Sequence, residues 1–464
     1  MMALKDASYK FFFTLREFNL ACQSTGDSGY SCRHDEFGAV APSVHHVNDY
    51  FAKLFLLHAD RRARFKISPI KRSFDMRKKM QSTLKLLSVI TCLALTAQGA
   101  MASEMDQAKI KDTVDSLIQP LMQKNNIPGM SVAVTLNGKN YIYNYGLASK
   151  QPQQPVTDNT LFEVGSLSKT FAATLASYAQ VSGKLSLDKS ISHYVPELRG
   201  SSFDHISVLN AGTHTTGLAL FMPEEVKNTD QLMAYLKAWK PADPAGTHRV
   251  YSNIGTGLLG MIAAQSMGMT YEDAIEKTLL PKLGMTHTYL NVPADQAENY
   301  AWGYNKKNEP IHVNMEVLGN EAYGIRTNAS DLIRYVQANM GQLKLDGNST
   351  LQKALTDTHI GYFKSGKITQ DLMWEQLPYP VSLPDLLTGN DMAMTKSVAT
   401  PIVPPLPPQE NVWINKTGST NGFGAYIAFV PAKKMGIVML ANKNYSIDQR
   451  VTVAYKILSE LEGK

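Results

Sequence analysis

A hydroxyl and an amine stand three residues apart in Phe162-Glu163-Val164-Gly165-Ser166-Leu167-Ser168-Lys169-Thr170-Phe171. On the first turn of a helix, that spacing places Ser166 and Lys169 on one face within contact distance. A serine hydroxyl is a weak nucleophile until a base stands beside it. A lysine that is desolvated, or that has another cation near it, loses its proton more readily and can be that base. A helix start also offers unpaired backbone N–H groups that suit a developing oxyanion. Taken alone, the pair reads equally as an ordinary helix start with Gly165 and Ser166 near the cap. The chain has no His-Glu-x-x-His or similar ligand spacing, so no metal and no cofactor is expected.

The elements around this pair have their own signals. Ile110, Val114, Leu117, Ile118 and Leu121 repeat at helical spacing and predict a helix over 106–124, with Pro120 kinking or shortening it. Met130–Leu136 and Lys139–Tyr143 flank Asn137-Gly138 and predict a hairpin. A helix is expected from about Ser168 to Gln180. Further helical patterns follow at Thr229–Trp239, Gly255–Ser266 and Tyr271–Leu279. Val412–Asn415, Phe423–Phe429 and Gly436–Ala441 read as strands. A last helix has Val453, Ala454, Ile457, Leu458 and Leu461 on one face. The fold class expected is α+β: an antiparallel sheet flanked by helices and built from both ends of the chain (about 103–180 and 385–464). A mainly helical part (about 181–384) is inserted, and the active site lies between the two. Pro401–Pro408 reads as an extended connection.

The first hundred residues read differently. Met76-Arg-Lys-Lys-Met80, an apolar run from Leu84 to Ala97 and Ala100-Met101-Ala102 have the order of a secretory signal peptide. Residues 76–102 are therefore expected to be removed and 103–464 to act in the periplasm without a stable membrane anchor. Residues 1–75 are expected to be a spurious or disordered extension. Their Arg61-Arg62-Ala63-Arg64 run reads as solvated charge. The net charge of +6 belongs to this leader, because residues 1–102 carry +7 and the remainder −1. It gives no reason to expect nucleic acid as a partner. Cys22, Cys32 and Cys92 all precede residue 103, which excludes disulfides and a cysteine nucleophile from the remainder. Nothing argues for an interface, and a monomer is expected.

Two further stretches follow in order: Tyr251-Ser252-Asn253, and Lys416-Thr417-Gly418 with Ser419 and Thr420. With Ser166-x-x-Lys169 they resemble the serine β-lactamases and penicillin-binding proteins. The Tyr-x-Asn middle element is similar to that of class C β-lactamases and D-alanyl-D-alanine peptidases. His214-Thr-Thr-Gly217, Glu321-Ala-Tyr-Gly324 and Lys416 through Asn444 extend the resemblance over about 106–461. It implies that Ser166 is acylated by a small-molecule β-lactam. Lys169 or Tyr251 takes the proton, with Lys169 and Lys416 favouring phenolate at Tyr251. Lys416 and Thr417 anchor the substrate carboxylate, and Gly418 lets the ligand lie along the strand. Asn253 bonds the substrate amide, and the N–H groups of Ser166 and Ser419 hold the oxyanion. Tyr323 resembles the aromatic residue on the loop bordering the site, Glu375 an acidic residue near the site's water network, and Asn444 and Arg450 polar residues that help receive the substrate carboxylate. Arg249 reads equally as a structural ion-pair partner. His214 and His248 are expected to be structural. Phe221 or Met222 stands where the family has a Gln, and Ile447 where it has an Asn. The implied activity is hydrolysis of cephalosporins and some penicillins. The alternatives are a D-alanyl-D-alanine carboxypeptidase or esterase with the same core, and a penicilloyl sensor.

Overall fold

The computed structural model describes residues 22–25, 29–32, 107–345, 347 and 349–462. The chain divides into two compact units, Met1–Ala94 and Leu95–Lys464. In the first, the described residues form one antiparallel pair, Cys22–Thr25 with Gly29–Cys32. The expected signal segment 76–102 lies outside the described residues.

The second unit is organised on a ten-stranded sheet. Its strands are β1 (Gly129–Leu136), β2 (Lys139–Lys150), β3 (Gln153–Pro155), β4 (Gly361–Ser365), β5 (Ile368–Gln370), β6 (Glu375–Pro378), β7 (Thr400–Leu406), β8 (Val412–Ser419), β9 (Gly424–Val430) and β10 (Met435–Ala441). They lie in the order β7-β4-β5-β6-β8-β9-β10-β1-β2-β3, and each neighbouring pair is antiparallel. The expected α+β architecture, with a sheet drawn from both ends, is therefore what the chain adopts. The hairpin at Asn137-Gly138 joins β1 to β2. β4, β5 and β6 come from the stretch read as mainly helical and nevertheless join this sheet.

Alternation along the central strands explains how the sheet is covered on both faces. In β9, Ala425, Ile427 and Phe429 enter one apolar cluster while Tyr426, Ala428 and Val430 enter the other. In β1, Ala133 faces the first cluster, and Met130, Val132 and Val134 face the second. The second cluster is closed by α1 (107–125) and the last helix, Ile447–Leu461, through Ile110, Val114, Ile118, Ile457 and Leu458. Each such side chain, fully buried, contributes about 1.5–3 kcal/mol. α1 continues through Pro120, whose missing N–H falls on the exposed face.

The first cluster contains α2 (Ser168–Val181), apolar and buried on nearly all sides. It packs against α3 (Asn253–Ser266) and, further along the chain, a helix at Ser349–Asp357. The Pro401–Pro408 stretch differs from expectation, because most of it is β7, paired with β4. As the outermost strand, β7 tolerates prolines that a central strand would not.

Candidate active site

Ser166 lies on a 3-10 turn, Gly165–Leu167, between the short strand Phe162–Glu163 and α2. The expectation put it near the cap of a helix starting at about Ser168, and the helix does start there. A 3-10 turn has three residues per turn, so residues i and i+3 eclipse. Lys169 Nζ accordingly donates to Ser166 Oγ at 3.1 Å. Gly165 makes the turn possible. Its φ is +52°, and a Cβ there would lie 2.5 Å from Ser419 O. The 165–167 turn is thus seated directly on β8.

Lys169 is fully buried and donates twice more, to Asn253 Oδ1 at 2.7 Å and to the Ala322 carbonyl at 2.9 Å. Burial disfavours its ammonium, and the nearby Lys416 adds to this. Tyr251 opposes both, and the balance brings Lys169 down to about 8. Tyr251 follows the short strand His248–Val250, and Ser252 caps α3 by accepting from Gly255 N at 2.9 Å. Lys169 Nζ and Lys416 Nζ lie 5.2 and 5.0 Å from the Tyr251 ring centroid. Burial alone would raise the phenol. The two ammonium groups and a hydrogen bond with Ser166 outweigh it, and Tyr251 comes down to about 8.

Lys416 sits on β8 beside Glu375 of β6, with Nζ 3.8 Å from Oε1. Burial works against its charge, but Glu375 and Tyr251 more than offset this and hold it above the ordinary lysine value. The same Glu375 oxygen accepts from Arg249 Nη2 at 2.5 Å. Arg249 also donates to Gln370 Oε1 at 2.7 Å and to the Met394 carbonyl. Of the two readings of Arg249, the ion-pair partner is the one seen. Arg249, Glu375 and Lys416 thus form a buried row of alternating charge, and Lys416 Nζ and Arg249 Cζ lie 5.0 and 5.5 Å from the Tyr251 ring centroid.

These groups border a cavity of about 590 Å³. Ser166, Tyr251, Asn253, Lys416, Thr417, Gly418, Ser419, Tyr323 and Asn444 all line it. Lys169 stands behind Ser166. Arg450 is fully buried and lies behind the wall. It donates to Gly418 O at 2.6 Å, Ser419 Oγ at 2.9 Å, Asn444 Oδ1 at 2.5 Å and Tyr445 O at 2.5 Å. Its guanidinium thus holds the end of β8 in place, where the resemblance implied reception of a carboxylate. Phe221 lines the cavity and is exposed, whereas Met222 packs against the core. Ile447 also borders the cavity.

Three further groups shape the site, each within a stretch already singled out in the sequence. The Ala322 carbonyl is backbone, so any residue type would supply it. Glu163 accepts from Tyr300 OH at 2.7 Å and Val313 N at 2.8 Å, tying the far wall to the strand that precedes Ser166. His214 packs against Tyr251 with ring centroids 4.2 Å apart. Among the described residues, no group of three or more His, Cys, Asp or Glu is arranged to hold a metal ion. No helix among them is long and apolar enough to cross a membrane.

The family model described as Beta-lactamase matches residues 114–462. A beta-lactamase of Providencia stuartii is 49% identical over 378 residues, covering 81% of this chain and 96% of its own. A crystal structure of a class C beta-lactamase in complex with cefoxitin is 88% identical with a TM-score of 0.75, covering 76% of this chain and 99% of that one. The beta-lactamase/D-alanine carboxypeptidase of Pseudomonas syringae is 52% identical with a TM-score of 0.74, covering 76% and 99%.

Proposed function

The chain belongs to the beta-lactamase family, as a class C hydrolase, and on that premise we propose that it opens the β-lactam amide of cephalosporins and some penicillins through an acyl-enzyme on Ser166. The observation that carries this reading is the 3.1 Å contact of buried Lys169 Nζ with Ser166 Oγ, beside a phenol brought down to about 8. Ser166 Oγ attacks the lactam carbonyl, and its proton passes to Tyr251 or Lys169. The carbonyl oxygen becomes an oxyanion, held by the Ser166 and Ser419 N–H groups. The C–N bond breaks, and the leaving nitrogen takes a proton back through Tyr251. Water, deprotonated by the same phenolate, then releases the acid and regenerates Ser166.

Substrate contacts follow from the wall. Lys416 and Thr417 receive the carboxylate, Asn444 extends that subsite, and Asn253 bonds the side-chain amide. Gly418 lets the ligand lie along β8, Tyr323 closes the opposite side, and Arg450 supports the subsite from behind. A class C beta-lactamase 88% identical to this chain was crystallised with cefoxitin, which supports a β-lactam as the small-molecule partner. The signal-like order of residues 76–102 supports export to the periplasm, with 103–464 as a monomeric catalytic region. A net charge of −1 after residue 102 gives no support to a nucleic-acid partner. The name of the Pseudomonas syringae relative supports D-alanyl-D-alanine carboxypeptidase as a second reading.

Deacylation separates the two. The full chain and its Ser166→Ala variant are mixed with a chromogenic cephalosporin in large excess, and intact mass is followed in parallel. Sustained turnover by the wild type, none by the variant, and a transient adduct on Ser166 are expected. One stoichiometric burst with a persistent adduct would favour the carboxypeptidase. Equal turnover by both proteins would remove Ser166 as the nucleophile.

A further inference from the structure

His214 is fully buried and has a φ of 59°, a left-handed conformation that few side chains adopt without cost. Its backbone carbonyl accepts from Val250 N at 2.7 Å. Its imidazole Nδ1 accepts from Ser252 N at 3.2 Å. One residue thus holds the backbone on both sides of Tyr251. Its ring also lies against the Tyr251 ring, centroids 4.2 Å apart and planes 33° from parallel. We propose that His214 is a positioning residue that clamps the 250–252 segment and sets the Tyr251 phenol between Lys169 and Lys416. This rests on the reading that Tyr251 exchanges a proton with Ser166.

The protonation state fits a clamp. Nδ1 accepts a backbone N–H, so the proton must sit on Nε2, which is buried and has no partner. Burial lowers the imidazole well below its ordinary value, and Arg249, Lys169 and Lys416 lower it further. The ring therefore stays neutral, in one tautomer, and leaves the two lysines as the charges that govern the phenol. The charged and titratable groups that act on that phenol are Lys169, Lys416 and Glu375, with the Ser166 hydroxyl. Arg249 Cζ lies 5.5 Å from the ring. The imidazole adds no charge to this set. Its contribution is steric and through the Ser252 N–H.

Asn and Gly both tolerate the left-handed backbone, so replacing His214 with either tests the side chain without adding local strain. His214→Asn keeps an acceptor within the loop and loses the ring. His214→Gly loses both. The full chain and these variants are compared, beside Tyr251→Phe, for kcat and KM from pH 6 to 10 with a chromogenic cephalosporin. Ionisation of Tyr251 is read as the ultraviolet tyrosinate difference against Tyr251→Phe. Loss of about an ångström in placement costs up to ~100-fold, so kcat is expected to fall roughly tenfold in the Asn variant and further in the Gly variant. KM should stay within about twofold, because no substrate contact is removed. As the phenol leaves the ammonium groups, its ionisation and the rising limb of kcat should move up toward the ordinary tyrosine range. Unchanged kcat and unchanged tyrosine ionisation in both variants would overturn the inference. So would a fall in kcat with the ionisation unmoved, which would reflect general damage. Activity retained in Tyr251→Phe would instead defeat the functional reading, and the ultraviolet titration would still decide the clamp.

Discussion

With Lys169 Nζ 5.2 Å and Lys416 Nζ 5.0 Å from its ring centroid, Tyr251 ionises against two positive charges. Each lysine lowers the phenol, and burial opposes them. Replacing Lys416 with Met removes one of these charges while keeping most of the side-chain volume. A limb of kcat/KM rising with pH through about 8 is expected from Tyr251 in the wild type, and in this variant it should move toward 10, the ordinary tyrosine value. Activity at pH 7 should fall by tenfold for each unit moved. Lys416→Arg keeps the charge and should keep the limb, although a guanidinium fits the subsite less well. A pH profile of kcat/KM in half-unit steps reads both variants, and a limb that stays put in Lys416→Met would separate Tyr251 from its lysines. The pairing of Ser166 with Lys169 was legible in the chain, because spacings of three and four residues are local geometry. Tyr251 and Lys416 became legible only through resemblance to a family, since nothing local links residues 166, 251 and 416. The acceptor role of Ala322 O had no signal, because a carbonyl is not a residue type, and His214 was legible as structural but not as a contact of Tyr251.

The element that orders the site is the crossing of β8 over the 165–167 turn. A Cβ on Gly418 would lie 2.0 Å from Val164 O, and one on Gly165 would lie 2.5 Å from Ser419 O. Two glycines thus set the distance between Ser166 and the strand that carries Lys416 and Thr417. Gly418→Ala keeps a φ that alanine accepts, yet it must drive the strand from the turn, because no real Cβ sits that close to an oxygen. A fall in kcat on the order of 100-fold and a lower Tm are expected. Steady-state kinetics and a thermal melt check both, and wild-type kcat would show that the crossing has slack. At this scale the sequence was most informative where periodicity is strong. The buried strand at Gly436–Ala441 and the apolar face of the last helix are where the pattern put them. It was less informative at 361–378 and at Thr400–Leu406. Short strands show little alternation, and a proline-rich edge strand lacks the β-branched signature of a paired one.

Buried ionisable groups that act in opposite directions set how the whole fold responds to pH. His359 is fully buried, and desolvation takes it down to about 3. Unfolded, it binds a proton near its ordinary 6.5. Between those values the unfolded chain holds more protons, so stability rises with pH across that window. Glu321 acts the other way. Desolvation first, and Glu272 as well, raise it from 4.5 to about 7, against the pull of its own backbone N–H. Between 4.5 and 7 the folded chain holds the extra proton, so this group costs nothing below the window and lowers stability progressively through it. Asp371, fully buried and raised well above its ordinary value by desolvation, adds to that side. A stability maximum on the acid side of neutrality follows. Glu321→Gln keeps the shape of the side chain and removes its titration, so it isolates one arm. The variant should match the wild type below about pH 4.5. It should gain by up to ~3 kcal/mol above pH 7, or roughly 4 °C in Tm for a unit of about 360 residues. Melts of the two proteins at pH 4, 5, 6, 7 and 8 would trace the divergence. A gain that is equal at every pH would mean packing, not ionisation, is what the glutamine changes. No gain at pH 8 would mean Glu321 is already charged in the fold at little cost.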